Sequence, residues 1–136
     1  MTSRASGSFE VKITPQGTPD AAAGVTLGRM SIDKQLSGDL EATTKGEMLT
    51  AMADANGAAA YVAVERVTGA LAGKRGTFVL MHNATMTRDG RHLNVTVAPG
   101  SGTDQLAGLT GSMDINIVDG KHFYEFEYTL PTQSAG

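Results

Sequence analysis

Two side chains in this sequence have the chemistry to move a proton near neutral pH, Glu65 and His82. In an extended run, Glu65 shares a face with Tyr61, Ala63 and Val67. If that face is the inside of the protein, desolvation raises the carboxyl pKa and makes Glu65 a general acid or base. The competing reading is a solvent-facing Glu65, or one paired with Lys45, Arg66 or Arg75. His82 alternates with Phe78 and Leu80, so an inward imidazole titrating near neutrality is expected there. Its competing reading is a core histidine satisfied by one hydrogen bond. Glu65 and His82 are therefore the expected catalytic pair. Tyr61, Glu47, Tyr124, Phe78 and Met113 are the expected substrate-binding groups. Glu47 shares a face with Lys45 and Leu49, where a simple ion pair competes. Tyr124 belongs to a stripe with His122, Phe126 and Tyr128, for which core packing competes. Met113 is one of seven methionines, a side chain that adapts to irregular cavity walls as readily as to ordinary core.

Other chemistries find little support. There is no cysteine, hence no disulfide, thiolate nucleophile or thiolate metal site. The three histidines, His82, His92 and His122, lack short ligand spacing, so no metal is expected. Gly100-Ser101-Gly102-Thr103 has neither the lysine nor the helix of a phosphate-binding loop, and no serine sits in a Gly-x-Ser-x-Gly elbow. No cofactor is expected. The net charge of −3 argues against a nucleic-acid partner. No stretch approaches the roughly 18 apolar residues of a membrane helix. With no apolar leader after Met1, a cytoplasmic location is expected.

The elements that must position these groups are written in the turns. Ser37-Gly38-Asp39, Asn56-Gly57, Gly73-Lys74-Arg75-Gly76, Asp89-Gly90 and Asp119-Gly120 punctuate segments rich in Val, Ile, Thr, Tyr, Phe and Met. Asn-Gly and Asp-Gly favour the paired positive φ angles of a tight hairpin. The spacing predicts eight strands. The first, around Phe9, Val11 and Ile13, ends at Pro15. A loop over residues 14–25 follows and is expected to cover one end of the protein. Strands are then expected over Leu27–Leu36, Asp39–Asp54, Ala59–Leu71 and Thr77–Thr87, the second of these having some helical character in Met48–Ala53. Three more follow, around Leu93–Val97, over Leu109–Val118 and over His122–Leu130. Lys74-Arg75 is read as a hairpin tip, and the tail after Pro131 as disordered. A meander of this length closes into a barrel. The fold class is all-β, an eight-stranded antiparallel up-and-down barrel in one domain spanning 1–136, with its ordered core over roughly 7–131.

Several strings resemble a known family: Ala60–Gly69, Gly73–His82, Gly46-Glu47-Met48-Leu49, Pro99–Thr103 with Leu106–Gly111, and Asp119–Tyr124. Together they resemble small, mostly bacterial proteins of unknown function whose barrel is similar to plant allene oxide cyclase and dirigent proteins. The resemblance runs from about Gly7 to Pro131. It implies a barrel with an internal pocket, and it places Glu47, Glu65 and His82 in matching contexts. No catalytic motif of either enzyme matches residue by residue. The expected function is a small-molecule pocket protein, a cofactor-free isomerase, cyclase or lyase with Glu65 as base on a small hydrophobic substrate. The alternatives are a passive binder of such a molecule and a structural barrel without a pocket. Strands such as Ala60–Val67 are apolar on both faces, so a homo-oligomer is expected.

Overall fold

The computed structural model describes residues 2–53 and 57–131. Eight antiparallel strands run in chain order: β1 (Ser3–Ala22), β2 (Val25–Gly38), β3 (Leu40–Ala53), β4 (Ala59–Leu71), β5 (Lys74–Thr87), β6 (Gly90–Val97), β7 (Thr110–Val118) and β8 (Lys121–Thr129). Each pairs with its sequence neighbours, and β1 closes on β8 to complete the barrel. Strict alternation of burial along β3, β4 and β5 is what builds it. On β4, Ala63, Glu65 and Val67 are buried while Val62 and Val64 are 53% and 54% exposed, so the face that carries Glu65 is the inner one. The Met48–Ala53 stretch is strand, as the period of two requires.

Three local expectations are corrected. Pro15 does not end the first strand: β1 continues to Ala22, and Pro15 sits in register with Met30. Past Phe9, β1 has lost its β8 partner and pairs only with β2. A proline is tolerated on such an edge because no ladder needs its missing N–H. Residues 14–25 are accordingly a hairpin ribbon with an irregularity between Gln16 and Asp20, turning at Ala23-Gly24 with φ of 52° and 77°. Lys74-Arg75 is not a tip; those residues pair with Leu71 and Ala70, and the turn is Ala72-Gly73. Asn56 of the Asn56-Gly57 turn, and the tail from residue 132, lie outside the described residues.

One end of the barrel is filled. Leu36, Leu40, Val67, Leu71, Phe78 and Phe126 are among its core. Phe78 stacks on Phe126 with ring centroids 5.8 Å apart, and Phe126 on Tyr128 at 5.3 Å. The segment after β6, with a short 3-10 helix over Asp104–Leu106, plugs this end with Leu106 and Leu109. This segment, and not the 14–25 ribbon, covers the barrel. It also takes the place of β6 beside the start of β5. Arg75 N–H donates to Gln105 Oε1 (2.8 Å), Thr77 N–H to Thr103 Oγ1 (2.9 Å) and Val79 N–H to Ser101 Oγ (3.0 Å). The other end has only a small core of Ile32, Met48 and Ala63, flanked by Val11, Met30 and Tyr61.

Candidate functional site

The boundary between the filled and the open half of the barrel is polar. Glu65 is 1% exposed at its centre. Its Oε1 accepts from Lys34 Nζ at 2.9 Å and from His82 Nε2 at 2.7 Å, and its Oε2 accepts from Thr44 Oγ1 at 2.9 Å. The register explains the convergence. Lys34 lies opposite Thr44, Thr44 opposite Val67, and His82 opposite Ala63. Val67 and Ala63 flank Glu65 on the inner face, so Thr44 and His82 are its diagonal neighbours on either side. Gly46 lies directly opposite Glu65. A Cβ there would collide with Val64 O and come within 2.6 Å of Glu65 Cα, so this strand glycine lets the β4 backbone approach.

The electrostatics reverse the expectation for Glu65. Burial pushes its carboxyl pKa upward, but the His82 hydrogen bond and the Lys34 charge outweigh it and bring it down to about 2. Glu65 is therefore an ionised acceptor at neutral pH. Its partner is Lys34, not Lys45, Arg66 or Arg75. Lys34 also lies over the Phe9 ring, 5.0 Å from the centroid. Because the carboxylate only accepts, His82 Nε2 must carry the proton that it donates. The other ring nitrogen, Nδ1, is buried and has no hydrogen-bond partner. In the neutral ring it is an unused lone pair, a costly state in a protein interior.

His82 and Lys34 line a cavity of about 150 Å³ in the open half. Its apolar wall includes Phe9, Ile32, Met48, Leu93, Ile115 and Ile117, and its polar groups include Tyr61, Arg91 and His122. Tyr61 and His82 have ring centroids 6.4 Å apart. Burial, then the Glu65 charge, raises the Tyr61 pKa, which keeps it a neutral phenol able to donate. Strands β6 and β7 meet at one register pair, Thr96 with Ser112, and diverge beside the cavity between Leu93 and Ile115.

Of the residues expected from sequence, Glu65, His82 and Tyr61 come together. Phe78 and Met113 belong to the filled half. Tyr124 is also there: its hydroxyl accepts from Leu40 N–H at 2.9 Å and lies 2.9 Å from Ser37 O and 3.1 Å from Leu40 O. Glu47 is on the outer face, 3.5 Å from Arg29. Sequence reasoning passed over Lys34, Thr44 and Arg91. The available signal was a polar residue on an otherwise apolar face: Lys34 between Ile32 and Leu36, Thr44 between Ala42 and Met48, Arg91 before Leu93, Val95 and Val97. Among the described residues, no three His, Cys, Asp or Glu side chains are grouped to hold a metal ion. Among the described residues, no helix is long and apolar enough to cross a membrane.

Residues 5–128 match the model of a family described as "Protein of unknown function (DUF3224)". A crystal structure of a protein of unknown function from the DUF3224 family of Shewanella oneidensis MR-1 is 44% identical. The match covers 96% of this chain and 99% of that one, with a TM-score of 0.90. No curated protein matches.

Proposed function

We propose that this chain, which belongs to the DUF3224 family of proteins of unknown function, binds a small apolar molecule in the open half of its barrel and presents it to His82. The observation that carries this reading is the unpartnered, buried Nδ1 of a cavity-lining histidine whose other nitrogen is anchored on Glu65. An apolar cavity with few convergent polar groups is the usual form of a small-molecule site, and about 150 Å³ suits a molecule near the size of benzene. The resemblance of its sequence strings to a family whose barrel is similar to allene oxide cyclase and dirigent proteins supports the reading at the level of fold alone.

The roles first expected of the pair are exchanged. Glu65 is a positioning residue that fixes the tautomer and would stabilise an imidazolium. His82 Nδ1 is the base. A substrate with an acidic C–H would give its proton to Nδ1 as a carbanion or enolate forms, the Glu65 carboxylate balancing the new positive charge. Tyr61 would donate to the developing oxyanion. Return of the proton at a neighbouring carbon completes an isomerisation with no cofactor.

The test compares p-cresol with toluene, followed by NMR of the His82 ring nitrogens. The hydroxyl of p-cresol should hydrogen-bond Nδ1, shift its resonance, and bind about tenfold more tightly than toluene, as one buried hydrogen bond allows. In His82→Leu this preference should vanish while toluene still binds. If neither molecule binds, the cavity reading fails. Equal binding of the two by the wild type would remove the role of Nδ1. Catalysis is separated from passive binding by deuterium uptake into cyclohexanone: acceleration by the wild type but not by His82→Leu supports a base, and equal rates leave a binder.

A further inference from the structure

The cavity described above holds a charge pattern that an apolar ligand alone does not explain. Arg91 begins the inward-facing series of β6 that continues with Leu93, Val95 and Val97, and it lines the same cavity as Lys34, Tyr61, His82 and His122. Its positive charge bears on the Tyr61 hydroxyl, less than burial and the Glu65 charge do, and Arg91 itself is exposed. Lys34 is matched by Glu65 behind the wall. Among the described residues no carboxylate is within ion-pair distance of Arg91. The wall and the carboxylate behind it thus carry two cations against one anion in a chain of net charge −3. An arginine fork beside a phenol, at the mouth of a low-dielectric cavity, is suited to a carboxylate more than to a neutral polar group.

Resting on the small-molecule reading above, we infer that the ligand is a small apolar acid whose body enters the cavity and whose carboxylate is held at the mouth by Arg91 and Tyr61. Ile32, Met48, Leu93 and Ile115 meet the apolar body, and Arg91 lines the same cavity from β6, which shares a single register pair with β7. In this pose the atoms next to the carboxylate lie toward His82, and the ammonium of Lys34 adds to the favourable field without contributing a free charge.

The experiment measures binding of phenylacetate, phenylacetamide and toluene to the wild type and to Arg91→Gln by calorimetry, at low and high salt. Phenylacetate should bind the wild type at least about tenfold more tightly than its neutral amide, the scale of one charge-assisted hydrogen-bonded contact. Arg91→Gln should abolish that preference and leave toluene unchanged, which also shows that the variant is folded. Salt should weaken phenylacetate but not toluene. Equal affinity for acid and amide, or a preference that survives Arg91→Gln, would overturn the inference while toluene binding keeps the cavity reading intact. Loss of toluene binding by the wild type would overturn both.

Discussion

Removing the Glu65 carboxylate from water carries a desolvation cost, and three donors offset it. The consequence is a pH dependence with a definite sign. The folded carboxyl has a pKa of about 2 against 4.5 for the free group. The unfolded chain therefore binds the proton first as pH falls. Stabilisation from Glu65 is complete above about pH 4.5 and is lost as pH drops from there toward 2, a change of about 3 kcal/mol. Urea denaturation across that range should show the decline, and Glu65→Gln should flatten it. The same variant leaves the Lys34 ammonium buried beside a neutral amide, so it should cost roughly 3 kcal/mol at pH 7. Adding Lys34→Met should recover much of that loss. An additive double variant would mean that the pair does not carry the effect.

At the scale of elements, the two halves of the barrel respond separately. Tyr124 pins the β2–β3 corner: its hydroxyl accepts from the buried Leu40 N–H. Tyr124→Phe leaves that donor without a partner and should cost about 1–3 kcal/mol in thermal or urea unfolding. Toluene binding in the opposite half should not change. Gly46 gives the contrary case. A methyl at position 46 meets the β4 backbone at Glu65, so Gly46→Ala should displace the carboxylate from Lys34 and His82. The expected readout is a shift in the His82 ring resonances with loss of the p-cresol preference, together with a destabilisation of a few kcal/mol. Unchanged His82 resonances would show that β3 absorbs the methyl elsewhere.

At the scale of the molecule, the outer face of β2–β5 carries Leu27, Leu49, Val62, Val64 and Met81, all exposed. Leu49 lies opposite Val62, and Val64 opposite Met81, so these side chains form one patch. Water-exposed apolar area of this kind favours association. The expected outcome is concentration-dependent self-association in sedimentation, abolished by Val62→Lys with the fold retained. A wild type that sediments as a monomer at every concentration would remove the expectation of a homo-oligomer. Because Val62 points away from the cavity, toluene binding should survive the substitution.

The order and number of strands follow from the chain itself. Asp89-Gly90 and Asp119-Gly120 reverse the backbone locally, and the period of two between them assigns side chains to opposite faces. Both are interactions between residues close in sequence. The passage of β1 through Pro15 was hidden because it depends on that stretch being an edge without its β8 partner, and the tip at Ala72-Gly73 because Ala72 takes a positive φ that alanine rarely adopts. Which face is inside, and so whether Glu65 is buried, depended on closure of β1 against β8. The register of β2 on β3 and β3 on β4 set Lys34, two strands away, beside Glu65, and Nδ1 of His82 was left without a partner. A carboxylate has the same name in the sequence whether water or an ammonium surrounds it. Its charge state belongs to neighbours brought together by the register around the barrel, and that register exists only in the tertiary structure.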